Sequence, residues 1–172
     1  MILAIDPGTF ESAFVRMDGE YRPVSFGKIP NGELLQRLRE ADKEDRLVLE
    51  MVASYGMAVG KEVFETVLWI GRFWEAFPGE KKALLYRREE KMTLCGSAKA
   101  KDANIRQALI DRFAYGVPNG GKGLKNAPGW FYGFRADVWQ AYAVAVTYAP
   151  GLIGAVLVGV NFAKSVAYAL NL

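Results

Sequence analysis

Ile2-Leu3-Ala4-Ile5-Asp6-Pro7-Gly8 contains a short apolar run, typical of a buried strand, that ends in an acidic residue. Two further acids stand in similar positions. Glu50 follows the apolar run Leu47-Val48-Leu49, and Asp137 opens an uncharged run. An ionised carboxylate is costly to remove from water unless a cation or a hydrogen-bond donor meets it. The pattern therefore predicts three carboxylates that converge on a site for a hard cation.

Each of these acids also has a simpler interpretation, which the sequence leaves open. Asp6 followed by Pro7-Gly8 is typical of a turn. Glu50 is equally a charge at the end of a strand that reaches solvent. Asp137 is equally an acid at the start of a helix, where the helix dipole favours it by about 0.3 to 1 kcal/mol.

Histidine is absent from all 172 residues. Its absence excludes Ser-His-Asp hydrolases, Cys-His proteases, zinc sites that use histidine, and nucleases with a histidine general base. Oxygen ligands remain, and these suit Mg²⁺ or Mn²⁺.

The composition is that of a globular domain, with 51% hydrophobic residues in 172. We expect one domain over residues 1–149, followed by an apolar segment, 150–172, that packs on the domain or on a partner. Cys95 is the only cysteine and no signal-peptide pattern is present, so we expect a reducing, cytoplasmic location. Residues 138–163 carry no charge, but Pro150-Gly151 divides them, so we expect no membrane span.

Periodicity and turn residues predict the order of elements, in which strands come first. The first three strands form an antiparallel meander and are followed by helices alternating with two more strands. The predicted strands are 2–6, 12–17, 24–28, 47–50 and 83–86. A short helix is predicted to begin at Asn31, and three further helices are predicted over 56–77, 99–113 and 138–149. A glycine-rich loop, 116–133, carries Trp130, Phe131 and Tyr132, which either contact DNA or fold back over the core.

The helix predicted over 56–77 has a wide apolar face, whose stripe consists of Val59, Val63, Val67, Ile70 and Trp74. This face is either part of a dimer interface or an ordinary core surface. Positive charge is concentrated in residues 81–125, which hold eleven lysines and arginines against four acidic residues. This region is either a phosphate-binding surface or a solvated helix face.

The chain resembles the RuvC family of Holliday-junction resolvases, within the ribonuclease H-like superfamily, and is most similar to the phage-encoded RuvC-like branch. The resemblance covers residues 1–148. It is carried by four segments, which are Ile2–Thr9, Leu49–Val52, Gly96–Asp102 and Ala136–Ala141. It implies an α/β fold with a ribonuclease H-like mixed five-stranded sheet, three antiparallel N-terminal strands and flanking helices.

The resemblance also implies a homodimeric endonuclease that uses two Mg²⁺ (or Mn²⁺) ions to cut branched DNA in a bacterial or phage-infected cell. Asp6, Glu50 and Asp137 fall on the family's catalytic carboxylates. The family's further acid, one helical turn before the last, corresponds to Phe134, so Asp102 is the candidate substitute. Lys101 is the candidate group that neutralises the scissile phosphate.

Nine residues are candidates for DNA binding. They are Tyr55, Arg87, Arg88, Lys91, Lys99, Lys101, Arg106, Lys122 and Lys125. Tyr55 is either a base-stacking residue or a core aromatic. Two other function classes remain open at this point, a non-catalytic nucleic-acid-binding protein and one lobe of an actin-like or sugar-kinase-like ATPase, which Asp6-Pro7-Gly8-Thr9 also resembles.

Overall fold

The computed structural model describes residues 1–54, 56 and 58–149. The strands of the main sheet are β1 (Ile2–Asp6), β2 (Glu11–Met17), β3 (Pro23–Pro30), β4 (Arg46–Met51) and β5 (Lys82–Tyr86). The helices are α1 (Asn31–Arg39), α2 (Lys61–Ala76), α3 (Arg87–Cys95), α4 (Asp102–Phe113) and α5 (Val138–Tyr148). A short hairpin is formed by β6 (Gly123–Leu124) and β7 (Ala127–Pro128).

The main sheet has the strand order β3-β2-β1-β4-β5. The pairs β1–β2 and β2–β3 are antiparallel, whereas β4 is parallel to β1 and β5 is parallel to β4. This arrangement confirms the predicted mixed sheet with three antiparallel N-terminal strands. It also places β1, and therefore Asp6, in the middle of the sheet.

Each face of the sheet is covered by a separate apolar cluster, because side chains along a strand alternate between the two faces. On β1, Leu3 and Ile5 pack with residues of α1 and α2. Ile2 and Ala4 point the other way and pack with α4 and α5. Asp6 is the next residue after Ile5, so it lies on the face covered by α5.

Helix α2 is shorter than predicted, and part of the predicted apolar stripe is exposed to solvent. The apolar pattern predicts a helix over 56–77, but α2 begins only at Lys61, after extended backbone at Gly60. Ile70 and Phe73 are buried, whereas Val59 and Val67 of the predicted stripe are 41% and 38% exposed. The predicted start was wrong, because the backbone is extended at Gly60, and the predicted stripe contains exposed as well as buried residues.

Helix α3 was not predicted, and α4 begins at Asp102 rather than at residue 99. The sequence of α3 is rich in charged residues, and the helix follows β5 without an intervening loop. On α4, Ile105 and Leu109 are buried as the helical spacing predicts.

The glycine-rich segment between α4 and α5 packs closely against the body of the protein. Phe131 is fully buried and contacts Phe134, Trp139 and Tyr142, so this aromatic residue folds back over the core. Tyr132 is 46% exposed. No helix among residues 1–54, 56 and 58–149 is long and apolar enough to cross a membrane. The predicted apolar segment, 150–172, lies outside the described residues.

Candidate active site

Asp6 and Glu50 lie side by side on the two central strands. The parallel pairing of β1 with β4 sets Ile5 beside Leu49, so the residues that follow, Asp6 and Glu50, are neighbours. Glu50 shares the face of Val48, which packs in the cluster under α4 and α5. The two carboxyl groups are close enough for each to shift the pKa of the other. The strand pairing therefore brings the first two predicted acids together at the adjoining ends of β1 and β4.

The turn after Asp6 is fixed by buried polar side chains that sequence reasoning did not identify. The Gly8 N–H donates to Ser12 Oγ at 3.1 Å, and the Ser12 hydroxyl donates to Asn31 Oδ1 at 2.6 Å. Asn31 Nδ2 then donates to the Gly8 carbonyl at 2.9 Å. A Cβ atom on Gly8 would lie 2.4 Å from the Glu11 carbonyl oxygen, so the turn needs glycine here. These contacts hold the end of β1 in place.

Asp137 approaches the pair from the start of α5. Its carboxylate is close enough to raise the pKa of Asp6. Asp137 Oδ2 also accepts a hydrogen bond of 2.6 Å from Lys28 Nζ, on β3. Both side chains of this ion pair remain partly exposed, at 42% for Lys28 and 45% for Asp137. Asp137 is thus near the first two acids but is held by a lysine that the sequence did not suggest.

Arg87, the first residue of α3, joins three acids. Its Nη1 lies 3.0 Å from Glu90 Oε2 and 3.7 Å from Glu50 Oε1. Its Nη2 lies 2.5 Å from Asp102 Oδ1. The guanidinium therefore faces the acidic cluster, whereas the sequence had placed Arg87 on a DNA-binding surface. Asp102, the candidate fourth ligand, is 69% exposed and is held by this contact.

Burial dominates the electrostatics of the acids. Burial, followed by the neighbouring carboxylates of Glu50 and Asp137, raises the pKa of Asp6 to about 8. Burial and then Glu50 raise the pKa of Glu90 to about 9. Burial also raises the pKa of Glu50, although Arg87 opposes that shift. The cluster carries more negative charge than its cations neutralise, so it takes up either protons or a further cation.

The donor set fits a hard divalent cation, since carboxylate oxygens are the ligands that Mg²⁺ and Mn²⁺ prefer. Among the residues that the structure describes, however, no three acidic side chains meet at one metal-binding point. Asp137 is paired with Lys28, and Arg87 lies beside Glu50. Asp6, Glu50 and Asp137 are the residues that would hold the ion.

Phe134, which stands where the resemblance leads us to expect a further acid, is a core residue. Phe134 is fully buried and packs edge-on against Phe26 and Phe131. Gln140 lies one helical turn after Asp137, and its Oε1 is buried without a hydrogen-bond partner in the described part of the chain. Gln140 and Asp137 line a cleft of about 640 Å³ between α4 and α5.

The predicted DNA-binding residues are spread around this site. Arg88, Lys99, Lys101, Arg106 and Lys125 are exposed, and Lys91 and Lys122 are half-buried. Lys101 directly precedes α4, and Arg106 lines the cleft beside Asp137. Tyr55 lies outside the described residues.

Sequence reasoning missed Glu90 and Lys28 as members of the site. Lys28 gave no signal, because it is one lysine on a strand whose partner is 109 residues away. Glu90 did leave a signal, since it lies three residues after Arg87 and residues at this spacing meet on a helix. The charged run from Arg87 to Glu90 nevertheless looks like a solvated surface.

Comparison with solved structures gives the same fold. The structure titled "T. thermophilus RuvC in complex with Holliday junction substrate" has a TM-score of 0.60 and 18% identity, over 86% of this chain and 92% of that chain. A Thermus thermophilus RuvC structure has a TM-score of 0.59 and 17% identity, with the same coverage. The protein therefore has the ribonuclease H-like α/β fold of RuvC.

Sequence comparison finds a different relative, over a short segment. A family model described as TsaD, tRNA N6-adenosine threonylcarbamoyltransferase, matches residues 136–172. The curated transferases from Moorella thermoacetica and Fusobacterium nucleatum are 79% and 72% identical over 29 residues, which is 17% of this chain and 8% of each of those proteins. The transferase from Syntrophomonas wolfei is 49% identical over 78 residues, covering 40% of this chain and 23% of that protein.

The chain thus spans less than a tenth of the length of the first of these transferases. The segment matched by the family model includes Asp137 and α5 but none of Asp6, Glu50 and Glu90. The fold and the short matches therefore point to different proteins, and most of the acidic site lies in the part that only the RuvC fold covers.

Proposed function

We propose that the protein is a divalent-cation-dependent endonuclease that cuts Holliday junctions or other branched DNA by phosphodiester hydrolysis. The observation that carries this proposal is the buried Asp6–Glu50 pair at the centre of a RuvC-like sheet, with Asp137 beside it. The substrate class is suggested by the solved RuvC structure that contains a Holliday junction substrate.

The residues have distinct roles in this proposal. Asp6, Glu50 and Asp137 would hold Mg²⁺ or Mn²⁺. Two such ions, when bound, would activate a water and stabilise the leaving oxygen of the phosphodiester. Lys101, at the exposed start of α4, neutralises the scissile phosphate. No histidine is needed as a general base, which agrees with the composition.

The basic residues around the cleft bind the DNA backbone. Arg106 lies at the cleft beside Asp137, and Lys99 and Lys101 lie exposed near the start of α4. The backbone N–H groups of that helix start also favour phosphate. Arg88, Lys91, Lys122 and Lys125 extend the surface, and Tyr55 stacks on an unpaired base. Arg87 contributes positive charge at the acids themselves.

We further propose that the protein is a cytoplasmic homodimer that joins through α2. Phe64 and Leu68 on this helix are 64% and 55% exposed, and Val67 beside them is 38% exposed. Adjacent exposed apolar side chains on one helix mark a protein interaction surface. A dimer would give two equivalent sites, which suits the symmetry of a four-way junction.

The match of residues 136–172 to the TsaD model supports a second candidate, threonylcarbamoyl transfer to tRNA adenosine. This candidate uses α5 but leaves the Asp6–Glu50 pair without a role. The nuclease proposal accounts for that pair, so we prefer it.

The test incubates purified protein with a labelled four-way DNA junction, a linear duplex of equal length, tRNA together with a threonylcarbamoyl donor, or ATP. Each incubation is run with and without Mg²⁺ or Mn²⁺. We expect cutting of the junction alone, only with the metal. Asp6→Asn should abolish cutting and retain junction binding. An intact junction under every metal condition, with folded protein verified by circular dichroism, would refute the nuclease. Junction binding without cutting would favour a non-catalytic binding protein, and modified tRNA or hydrolysed ATP would favour a transferase or an ATPase.

A further inference from the structure

Glu90 has an oxygen atom without a partner deep inside the protein. Its side chain is completely buried in α3. Oε2 accepts a hydrogen bond from Arg87, but Oε1 has none from any residue in the described ranges. A buried carboxylate oxygen normally has a donor or a cation, because leaving it unsatisfied is costly. Glu90 Oε1 is therefore available for a ligand that the protein alone does not provide.

Arg87 marks where such a ligand would lie. Its Nη1 contacts both Glu90 Oε2 and Glu50 Oε1, at 3.0 Å and 3.7 Å. One positively charged nitrogen thus faces a carboxylate from α3 and another from β4. Glu50 is also the neighbour of Asp6 across the paired strands β1 and β4. Arg87 and Glu50 therefore connect Glu90 to the acidic site.

We propose that Glu90 is a further metal ligand, which forms with Glu50 a second cation position that Arg87 occupies when no metal is bound. This inference rests on the proposed divalent-cation dependence and assigns the ligand that Phe134 does not supply. Asp102 is the rival for this role. It is 69% exposed and lies on the outer side of Arg87, where its Oδ1 contacts Nη2, whereas Glu90 is enclosed and lacks a partner at Oε1.

Arg87 and the metal then compete for the same carboxylates. Cation binding would release Arg87 from Glu50 and Glu90, leaving its guanidinium free to contact a phosphate. A buried acid that only orients Arg87 would give a different result, because an uncharged amide of the same shape could replace it with little loss of metal binding.

The experiment measures Mn²⁺ binding by electron paramagnetic resonance in the wild type and in Glu90→Gln, with Glu80→Gln as a matched control. Glu80 is exposed and lies at the opposite end of β5 from Arg87. We expect Glu90→Gln to bind one ion fewer, or to bind about 10-fold or more weakly. Glu80→Gln should match the wild type, and Asp102→Asn should lose less than Glu90→Gln. Wild-type binding by folded Glu90→Gln would overturn the inference.

A second measurement needs no variant. Anomalous difference maps of wild-type crystals grown with Mn²⁺ should show an ion within about 2.2 Å of a Glu90 oxygen, near the usual length of such bonds. The opposite result is a map with ions bound only by Asp6, Glu50 and Asp137, and with Glu90 still hydrogen-bonded to Arg87. That result would overturn this inference and leave the proposed nuclease intact. Absence of specific Mn²⁺ binding in the wild type would overturn both.

Discussion

The carboxyl groups of Asp6 and Glu50 lie close together at the adjoining ends of the parallel strands β1 and β4, so that each shifts the pKa of the other. Two buried carboxylates this close repel each other, so one of them holds a proton more readily than it would in water. Burial, Glu50 and Asp137 together raise the pKa of Asp6 from 3.8 to about 8. The site is therefore protonated near neutral pH in the absence of metal, and metal binding must release that proton.

This linkage predicts how stability depends on pH. Between pH 3.8 and about 8 the folded protein holds a proton on Asp6 that the unfolded chain has released. The metal-free free energy of unfolding should therefore fall as pH rises through this range. Asp6→Asn removes this contribution, so its stability should fall less between pH values of about 5 and 8. Urea denaturation in EDTA measures the difference. Glu80→Gln should keep the wild-type slope, and an equal slope in Asp6→Asn would contradict the shift.

In the proposed metal site, Lys28 would compete with the metal ion for Asp137, because its Nζ contacts Asp137 Oδ2. The Lys28–Asp137 pair is partly exposed, so Lys28→Met should change the free energy of unfolding by less than about 1 kcal/mol. The same change frees Asp137 and removes a nearby positive charge, so Mg²⁺ affinity should rise about threefold or more at low ionic strength. Calorimetric titration of Mg²⁺ measures the affinity. Lys61→Met, at the exposed ion pair with Glu65 on α2, is the control. Equal affinities in all three proteins would argue against competition.

The sequence predicted the positions of Asp6 and Glu50 because strands alternate strictly and apolar runs mark the buried ones. It predicted the antiparallel meander because Asp18-Gly19 is a turn signal between two strand patterns. It missed α3, whose charged sequence lacks a clear apolar stripe and follows β5 directly. The contacts of Arg87 with Glu50 and Asp102 depend on tertiary packing, which no local pattern encodes.

Two glycines of the segment before α5 differ in how closely the surrounding atoms pack against them, and this difference can be tested. Gly121 and Gly116 both have positive φ, at 81° and 76°. A Cβ on Gly121 would lie 2.7 Å from Ala114 Cβ and from Phe131, whereas a Cβ on Gly116 would meet nothing within 4 Å. Gly116→Ala should cost about 1 kcal/mol from backbone strain alone. Gly121→Ala should cost a further 1 to 3 kcal/mol or so from overpacking. Thermal or urea unfolding compares the two, and equal losses would contradict the packing.

The proposed DNA surface predicts a change in salt dependence. If Lys99 contacts a phosphate, Lys99→Gln should lower the slope of log K against log salt concentration by about 1, equally for any branched DNA sequence. Lys61→Gln should leave the slope unchanged, since Lys61 lies on α2 and pairs with Glu65. Fluorescence anisotropy with a labelled junction at several salt concentrations provides the measurement. A slope unaffected by Lys99→Gln would remove this residue from the surface.

The exposed face of α2 predicts the oligomeric state. Phe64 and Leu68 lie four residues apart and so share one side of the helix. A charge placed there would be buried without a partner in the proposed dimer, so Phe64→Glu should yield a monomer. Light scattering after gel filtration measures the mass. Met92→Glu is the matched control, because Met92 is 48% exposed on α3. If the wild type is already a monomer, or if Phe64→Glu remains a dimer, α2 does not form the interface.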